Sequence, residues 1–382
     1  MALRYNWTMR VCILSQSLDA YKGGNHLPLL AACPNTEFTI LTNRTRPKNP
    51  DLPSNVSVLT LGERIGSYYY GFADYLYAHY VIKKYPPSDP FWKQFDVIHL
   101  NQTMGTKMLQ LIKTGVPVLY TVHHPATVDR EVAIAESGFV EGLKWRAKYA
   151  LLVRWQKKLC RKMPHIMTVS ETSSKRLQDD YRCPASNIHV VYNGVDGEVF
   201  SLGKKDAQYD TIALGSFIHP RKGFPYLAEV YRKLSAEGKK IADVGRRSQE
   251  QQEILSTIPG VTMFGMIEQD QLVSLVQDSK TLVLTALYEG FGLSIIEALS
   301  TGRPPFPFDV GAVREVLRPI DETLISSRRD SNAVATKILQ YLSLSEEERM
   351  SRGQKYRDAV LQEYSIEKAG QSLEGLYNKL LR

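Results

Sequence analysis

Tyr288-Glu289-Gly290-Phe291-Gly292-Leu293-Ser294-Ile295-Ile296-Glu297-Ala298-Leu299 is the stretch on which the reading of this chain turns. Upstream, Lys280-Thr281-Leu282-Val283-Leu284-Thr285 is a short apolar run of the kind found in a strand buried on both faces. Downstream, Ile295, Ile296, Ala298 and Leu299 suit a helix that continues to Gly302, with Pro304 just beyond as a stop. Gly290 and Gly292 lie between them and let the backbone approach a ligand with no Cβ in the way. The helix beginning near Leu293 and Ser294 offers unpaired N–H groups and partial positive charge, which suit phosphate. Glu289 and Glu297 are poorly suited to phosphate but well suited to accepting hydrogen bonds from sugar hydroxyls. The turn reads as a sugar-phosphate site. The competing reading is a plain strand-turn-helix with both carboxylates merely solvated.

Working outward, 382 residues are too many for a single core and predict two domains. A hydrophobic fraction of 43% and a charged fraction of 23% are those of an ordinary globular protein. No run approaches the length of a membrane span. The start, Met1 to Met9, lacks the apolar core of a signal peptide, and Cys12, Cys33, Cys160 and Cys183 show no metal-ligand spacing. A reducing cytoplasm is the expected location, within reach of the inner face of the membrane. The net charge of +8 admits nucleic acid, an anionic membrane or anionic substrates as partners. No nucleic-acid motif accompanies it, so the last two lead.

The first half alternates buried-strand candidates with helix-length segments: Arg10–Ser15, Phe38–Thr42, Asp96–Leu100, Pro117–Val122 and His165–Val169. Such alternation predicts a parallel sheet covered on both faces, with ligands gathering at the carboxyl ends of the strands. That rule selects Gly23 and Gly24 after the first strand, His123 and His124 after a later one, then Ser170 and Asn193-Gly194. A second alternating run starts at Thr211–Leu214 and leads through Gly215-Ser216 and Arg221-Lys222-Gly223 to the opening stretch. The fold class is therefore α/β with two doubly wound domains. The expected divisions are residues 1–197, residues 198–362 and a final helix over 363–382.

Several landmarks occur together and in order. They are Gly23-Gly24, Val122-His123-His124, Val169-Ser170-Glu171, Tyr192 to Asp196, and Glu289 spaced seven residues from Glu297 with Gly-Phe-Gly inside; Glu297-Ala298-Leu299 and Gly302-Arg303-Pro304 then follow. This pattern resembles that of the family 4 retaining glycosyltransferases over nearly the whole chain. The resemblance implies a GT-B fold, two Rossmann-like domains with an interdomain cleft, and a last helix that crosses back onto the first domain. It implies a nucleotide-diphosphate sugar as co-substrate, a UDP- or GDP-sugar first, with no other cofactor and no metal.

By the same resemblance, Glu297 holds the donor ribose, while Glu289 and the amides of Gly290, Phe291, Gly292 and Leu293 face the donor hexose. Leu293, Ser294, Lys222 and, from the first domain, Gly24 approach the diphosphate. Met266 and Ile267 receive the base, and His123 lies near the sugar and the acceptor. One departure stands out. Most relatives have Gly-Arg where this chain has Gly215-Ser216. Arg221 is the expected replacement cation, although Arg and Lys differ in reach and geometry.

Two segments bear on the acceptor, expected to be a glycan or a lipid-linked glycan. Tyr68, Tyr69, Tyr70, Tyr75, Tyr77 and Tyr80 form an aromatic cluster that suits sugar stacking, a membrane interface or plain packing. Gly142 to Met163 holds many Lys and Arg and no acid, with Trp145, Tyr149, Leu152, Val153, Leu159 and Met163 on one helical face. It reads as a core-packed helix with a solvated basic side, or as one resting on anionic lipid. Other functions stay open: a nucleotide-sugar 2-epimerase, or a catalytically silent relative that only binds, motivated by Ser216 and the odd run Pro304-Pro305-Phe306-Pro307.

Overall fold

The computed structural model describes residues 9–19, 27–46, 51–63, 65, 71–101 and 104–382. Gly23, Gly24 and Tyr68 to Tyr70 lie outside the described residues. The chain divides into two units, one built of Met1–Arg130, Leu143–Tyr192 and Ile366–Arg382, the other of Glu131–Gly142 and Asn193–Ser365.

Among the described residues of the first unit, seven strands form one sheet in the order β3-β2-β1-β4-β5-β6-β7. They are β1 (Met9–Asp19), β2 (Thr36–Arg46), β3 (Val56–Thr60), β4 (Val97–Leu100), β5 (Val118–Thr121), β6 (His165–Thr168) and β7 (Ile188–Val190). All neighbours are parallel. The physical reason is visible in β1. Cys12 and Leu14 enter one core with Tyr77, Trp92 and Leu159, while Val11 and Ile13 enter another with Phe38, Leu373 and Tyr377. A strand apolar on both sides needs cover on both, and crossover helices supply it. These are α1 (Leu27–Ala31), α2 (Phe72–Lys84), the opening of α3 (Ala126–Ala135), α4 (Phe139–Lys162) from Leu143 onward and α5 (Glu171–Tyr181); residues 131–142, the end of α3 and the start of α4, belong to the second unit.

Among the described tyrosines, Tyr77 is fully buried and Tyr75 stacks on Trp155 at 5.7 Å, so this part of the aromatic cluster serves packing. The basic stretch forms α4, whose Tyr149, Leu159 and Cys160, with Met163 just beyond, are buried. Its exposed apolar residues are others than those expected: Phe139, Val140, Leu143 and Leu151.

The second unit has five parallel strands, β8 (Thr211–Leu214), β9 (Ile241–Val244), β10 (Val261–Gly265), β11 (Leu282–Leu284) and β12 (Pro305–Pro307). Their order is β10-β9-β8-β11-β12, so the winding reverses between β8 and β11. Around the sheet lie α6 (Phe224–Ala236), α7 (Gln249–Ser256), α8 (Gln269–Gln277), α9 (Leu293–Ser300), α10 (Val313–Leu317), α11 (Ser331–Leu342) and α12 (Glu346–Tyr364).

The odd proline run is the edge strand β12. The Pro304 carbonyl accepts from Leu282 N–H, and Phe308 N–H donates to the Leu284 carbonyl. Even-numbered residues therefore face the ladder, and Pro305 and Pro307 fall on the alternate positions, whose missing N–H costs the sheet nothing. After Ser365, α13 (Ile366–Leu380) packs in the first unit. There Glu374 accepts from Asn35 N–H at 2.8 Å and from Thr36 Oγ1 at 2.9 Å, and Tyr377 meets His99 Nδ1 at 2.6 Å.

Candidate active site

Ligands of doubly wound sheets bind outside the carboxyl ends of the strands, at the reversal of strand order. In the second unit that is where β11 runs through Thr285–Gly292 into α9. Gly292 caps the helix at φ 96°, a conformation that strains any residue with a Cβ, and a Cβ there would sit 2.8 Å from Ile295 Cδ1. Leu293 and Ser294, the first helical residues, remain half-buried, so the helix terminus is reachable.

A single 3-10 turn, Pro220–Lys222, docks on this connection. Leu287 N–H donates to the Arg221 carbonyl at 2.7 Å, and Arg221 Nη1 donates to the Tyr288 carbonyl at 2.7 Å. Lys222 Nζ lies 2.7 Å from Glu289 Oε1, with Arg221 Nη1 at 3.9 Å from the same oxygen. The Glu289 carbonyl also accepts from Ala312 N–H at 2.9 Å. Glu289 is thus held at its backbone and at its carboxylate, and is only 9% exposed. Part of Arg221 is committed to supporting the turn, a role the sequence did not suggest.

Phe291 is buried edge-on against Tyr364 at 5.5 Å, so its side chain belongs to the core and the backbone is left to a ligand. Glu297 reaches solvent in part, yet its carboxyl is deep enough that burial pushes it from an ordinary 4.5 up to about 7. The neighbouring strand ends carry the remaining expected residues. Ser216 is exposed after β8, and Met266, 63% exposed, precedes half-buried Ile267 after β10. His123 belongs to the first unit, where it follows β5, and its carbonyl accepts from Ser173 Oγ at 3.2 Å. His124 Nε2 pairs with Asp129 Oδ2 at 3.0 Å. Gly24 lies outside the described residues.

One group escaped the sequence reading. Arg247 and Asp243 form a buried ion pair, Nη2 to Oδ1 at 2.6 Å, beneath the Gly215–Phe217 loop. Its signals in the sequence are the twin arginine after Gly245 at a strand end and the charge of Asp243 inside an apolar strand.

The titration of Glu297 has a sign that stability measurements can read. The fold binds this proton more tightly than the unfolded chain does. The contribution to stability is therefore complete below about pH 4.5 and is lost as pH rises through about 7. Glu297→Gln is expected to exceed the wild type in stability above that range, by on the order of 3 kcal/mol, and to match it well below. Urea melts at the two extremes check this. A variant with no advantage at high pH contradicts a buried carboxyl at this position.

Comparison with known proteins bears on the same residues. The model of Glycosyltransferase Family 4 matches residues 35–199, and that of Glycosyl transferases group 1 matches residues 208–343. The chain is 32% identical over 251 residues to the MMP alpha-(1->4)-mannosyltransferase of Mycolicibacterium hassiacum, covering 60% of this chain and 57% of that protein. It is 25% identical over 222 residues to the O-antigen chain mannosyltransferase RfbU of Salmonella typhimurium, covering 54% of this chain and 60% of that protein. The matched segments thus span little more than half the length of these relatives. In structure, sucrose-phosphate synthase from Thermosynechococcus elongatus superposes with a TM-score of 0.78 at 18% identity, covering 97% of this chain and 99% of that one. With two family models matched in chain order and two parallel-sheet units of the GT-B type, the chain belongs to the family 4, group 1 glycosyltransferases.

Proposed function

We propose that the chain moves a hexose from a UDP- or GDP-sugar onto a glycan or lipid-linked glycan, with retention of anomeric configuration and without a bound metal. One observation carries the reading: Lys222 and Glu289 meet at 2.7 Å at the reversal point of the second unit, on the connection that ends in the α9 terminus. A cation and a helix terminus beside carboxylates suit a ligand with an anionic end and a hydroxyl-rich end. The two relatives named above are mannosyltransferases, so a hexose is the group to test first.

In this mechanism the diphosphate settles against the α9 terminus and Lys222, and Glu289 accepts from hexose hydroxyls. As the bond from C1 to the phosphate oxygen breaks, negative charge grows on the phosphate, and these groups stabilise it. The acceptor oxygen bonds to C1 on the same face, and its proton passes to the departing phosphate oxygen. Ribose hydroxyls donate to Glu297, which favours its ionised form. Donor affinity should therefore weaken as pH falls below about 7, and Glu297→Gln should flatten that dependence.

Proton NMR of the donor's anomeric signal tests the chemistry. Slow hydrolysis releasing the same anomer first supports retention, and the opposite anomer overturns it. A 2-epimeric product would point to an epimerase. No turnover of any nucleotide sugar would favour the silent relative.

The acceptor side of the proposal includes an anionic membrane surface. Phe139 is 84% exposed and Val140 65%, with Leu143 also exposed, and Lys144, Arg146 and Arg154 on the same helix reach solvent. No described helix is long and apolar enough to cross a membrane, so such contact would be peripheral. Co-sedimentation with anionic vesicles should be weak and should fade with salt, because each cation contributes about 1 kcal/mol within a Debye length. Phe139→Ser combined with Leu143→Ser should abolish it. Equal pelleting of that variant, or of wild type with neutral lipid, contradicts the surface.

A further inference from the structure

We infer that Arg246 is a donor-phosphate contact, the cation that occupies the place left by Ser216. This rests on the donor reading above. The β8–β9 ladder continues past both strands: Leu214 is registered with Val244, Gly215 N–H donates to the Val244 carbonyl at 3.0 Å, and Phe217 N–H donates to the Arg246 carbonyl at 3.1 Å. Two residues beyond the last registered pair stand Ser216 and Arg246. Adjacent strands lie about 4.8 Å apart, well inside the reach of an arginine side chain.

The two strand ends are locked together. Gly215 and Gly245 sit at φ 111° and 117°, and a Cβ on Gly245 would come within 2.3 Å of the Gly215 carbonyl oxygen. Arg247 pins the pair from below, donating to the Gly215 carbonyl at 2.7 Å and to Asp243 at 2.6 Å while its guanidinium covers the Phe217 ring at 4.4 Å. Of the twin arginines, Arg247 is therefore a buried anchor. Arg246 is exposed, and among the described residues no ion pair or side-chain hydrogen bond engages it.

Charge then separates the candidates. Lys222 and Arg221 both lie within 4 Å of Glu289, which offsets part of their field. Arg246 has no such carboxylate partner. It also lies on the path the proposed nucleotide takes, since β9 stands between β8, next to the α9 connection, and β10, which ends at Gly265 just before Met266. An extended ligand running from the α9 terminus to Met266 passes Ser216 and Arg246. A guanidinium at that point matches phosphate oxygens in geometry as well as charge.

Binding of UDP and GDP, and of uridine and guanosine, to wild type, Arg246→Ala and Arg246→Lys tests this by calorimetry and saturation-transfer NMR. Arg246→Ala is expected to weaken the diphosphate that binds wild type roughly ten- to a hundredfold, with nucleoside binding and melting temperature unchanged. Arg246→Lys should recover part of the loss. Unaltered diphosphate affinity in Arg246→Ala overturns the inference and leaves the donor reading standing. Equal losses for diphosphate and nucleoside also overturn it, as the sign of a loop effect. Wild type that binds neither diphosphate overturns the donor reading and the inference together.

Discussion

Lys222→Ala is expected to lower kcat/KM for sugar transfer by about two orders of magnitude, the equivalent of roughly 2–3 kcal/mol of transition-state stabilisation. The side chain is partly buried, and its ammonium lies 2.7 Å from Glu289, so the charge acts where water screens it poorly. In the free protein Glu289 holds it in place. In the proposed transfer, the growing negative charge on the leaving phosphate becomes the stronger partner once the donor is bound. Removing Lys222 has a second cost, because Glu289 loses its 2.7 Å ion pair while Arg221 stays at 3.9 Å from the same oxygen. Lys222→Arg should keep part of the activity, since the charge survives but the shape does not. Steady-state kinetics on any accepted donor, with melting curves to confirm folding, measure this. A folded Lys222→Ala enzyme with wild-type kcat/KM excludes the lysine from the chemistry.

Asp243→Ala is expected to destabilise the second unit by about 3–5 kcal/mol, a large share of what a domain has to lose. Asp243 and Arg247 are both almost inaccessible, at 1% and 2% side-chain exposure. Burial raises the Asp243 carboxyl above its ordinary range even with Arg247 against it, so desolvation outweighs the pairing. Such a pair adds little net stability while intact. Losing one member leaves the other charged and dry. Tyr231→Phe, which removes only the hydroxyl donating to Asp243 at 2.9 Å, should cost about 1 kcal/mol. Urea unfolding of both variants provides the comparison, and similar midpoints for the two would contradict the account of the buried pair.

The sequence made the α9 turn legible because its signals agree. An apolar strand, two glycines and a helical repeat point to one local structure, and the structure starts the helix at Leu293 as the pattern requires. β3 and β7 were harder to see, since their residues are only partly covered and the apolar pattern is correspondingly weak. The run Pro304-Pro305-Phe306-Pro307 misled for the opposite reason: composition argues against a strand, and only pairing parity shows that prolines fit an edge. That removes one of the two grounds for a catalytically silent relative.

On α4 the helical face was found, but a wheel cannot tell which end of the helix is covered. Trp155 on this helix stacks on Tyr75, while Phe139 and Val140 at its start are exposed. Least legible of all was Arg247, because a buried ion pair leaves no periodic trace in the sequence. Its partner Asp243 lies within the apolar strand β9, where a charge reads as an anomaly until the fold brings its counterion beside it.

In the proposed function, the carboxyl edge of the second unit holds a nucleotide sugar through Lys222. Thermal melts of wild type and Lys222→Ala against UDP-, GDP- and ADP-sugars test it most directly, because a ligand at a hundred times its Kd stabilises by about 2.7 kcal/mol. One nucleotide class is expected to raise the wild-type melting temperature, and Lys222→Ala to lose most of the shift at the same concentration. A wild-type protein that no nucleotide sugar stabilises, or a Lys222→Ala protein stabilised as strongly as wild type, would contradict it.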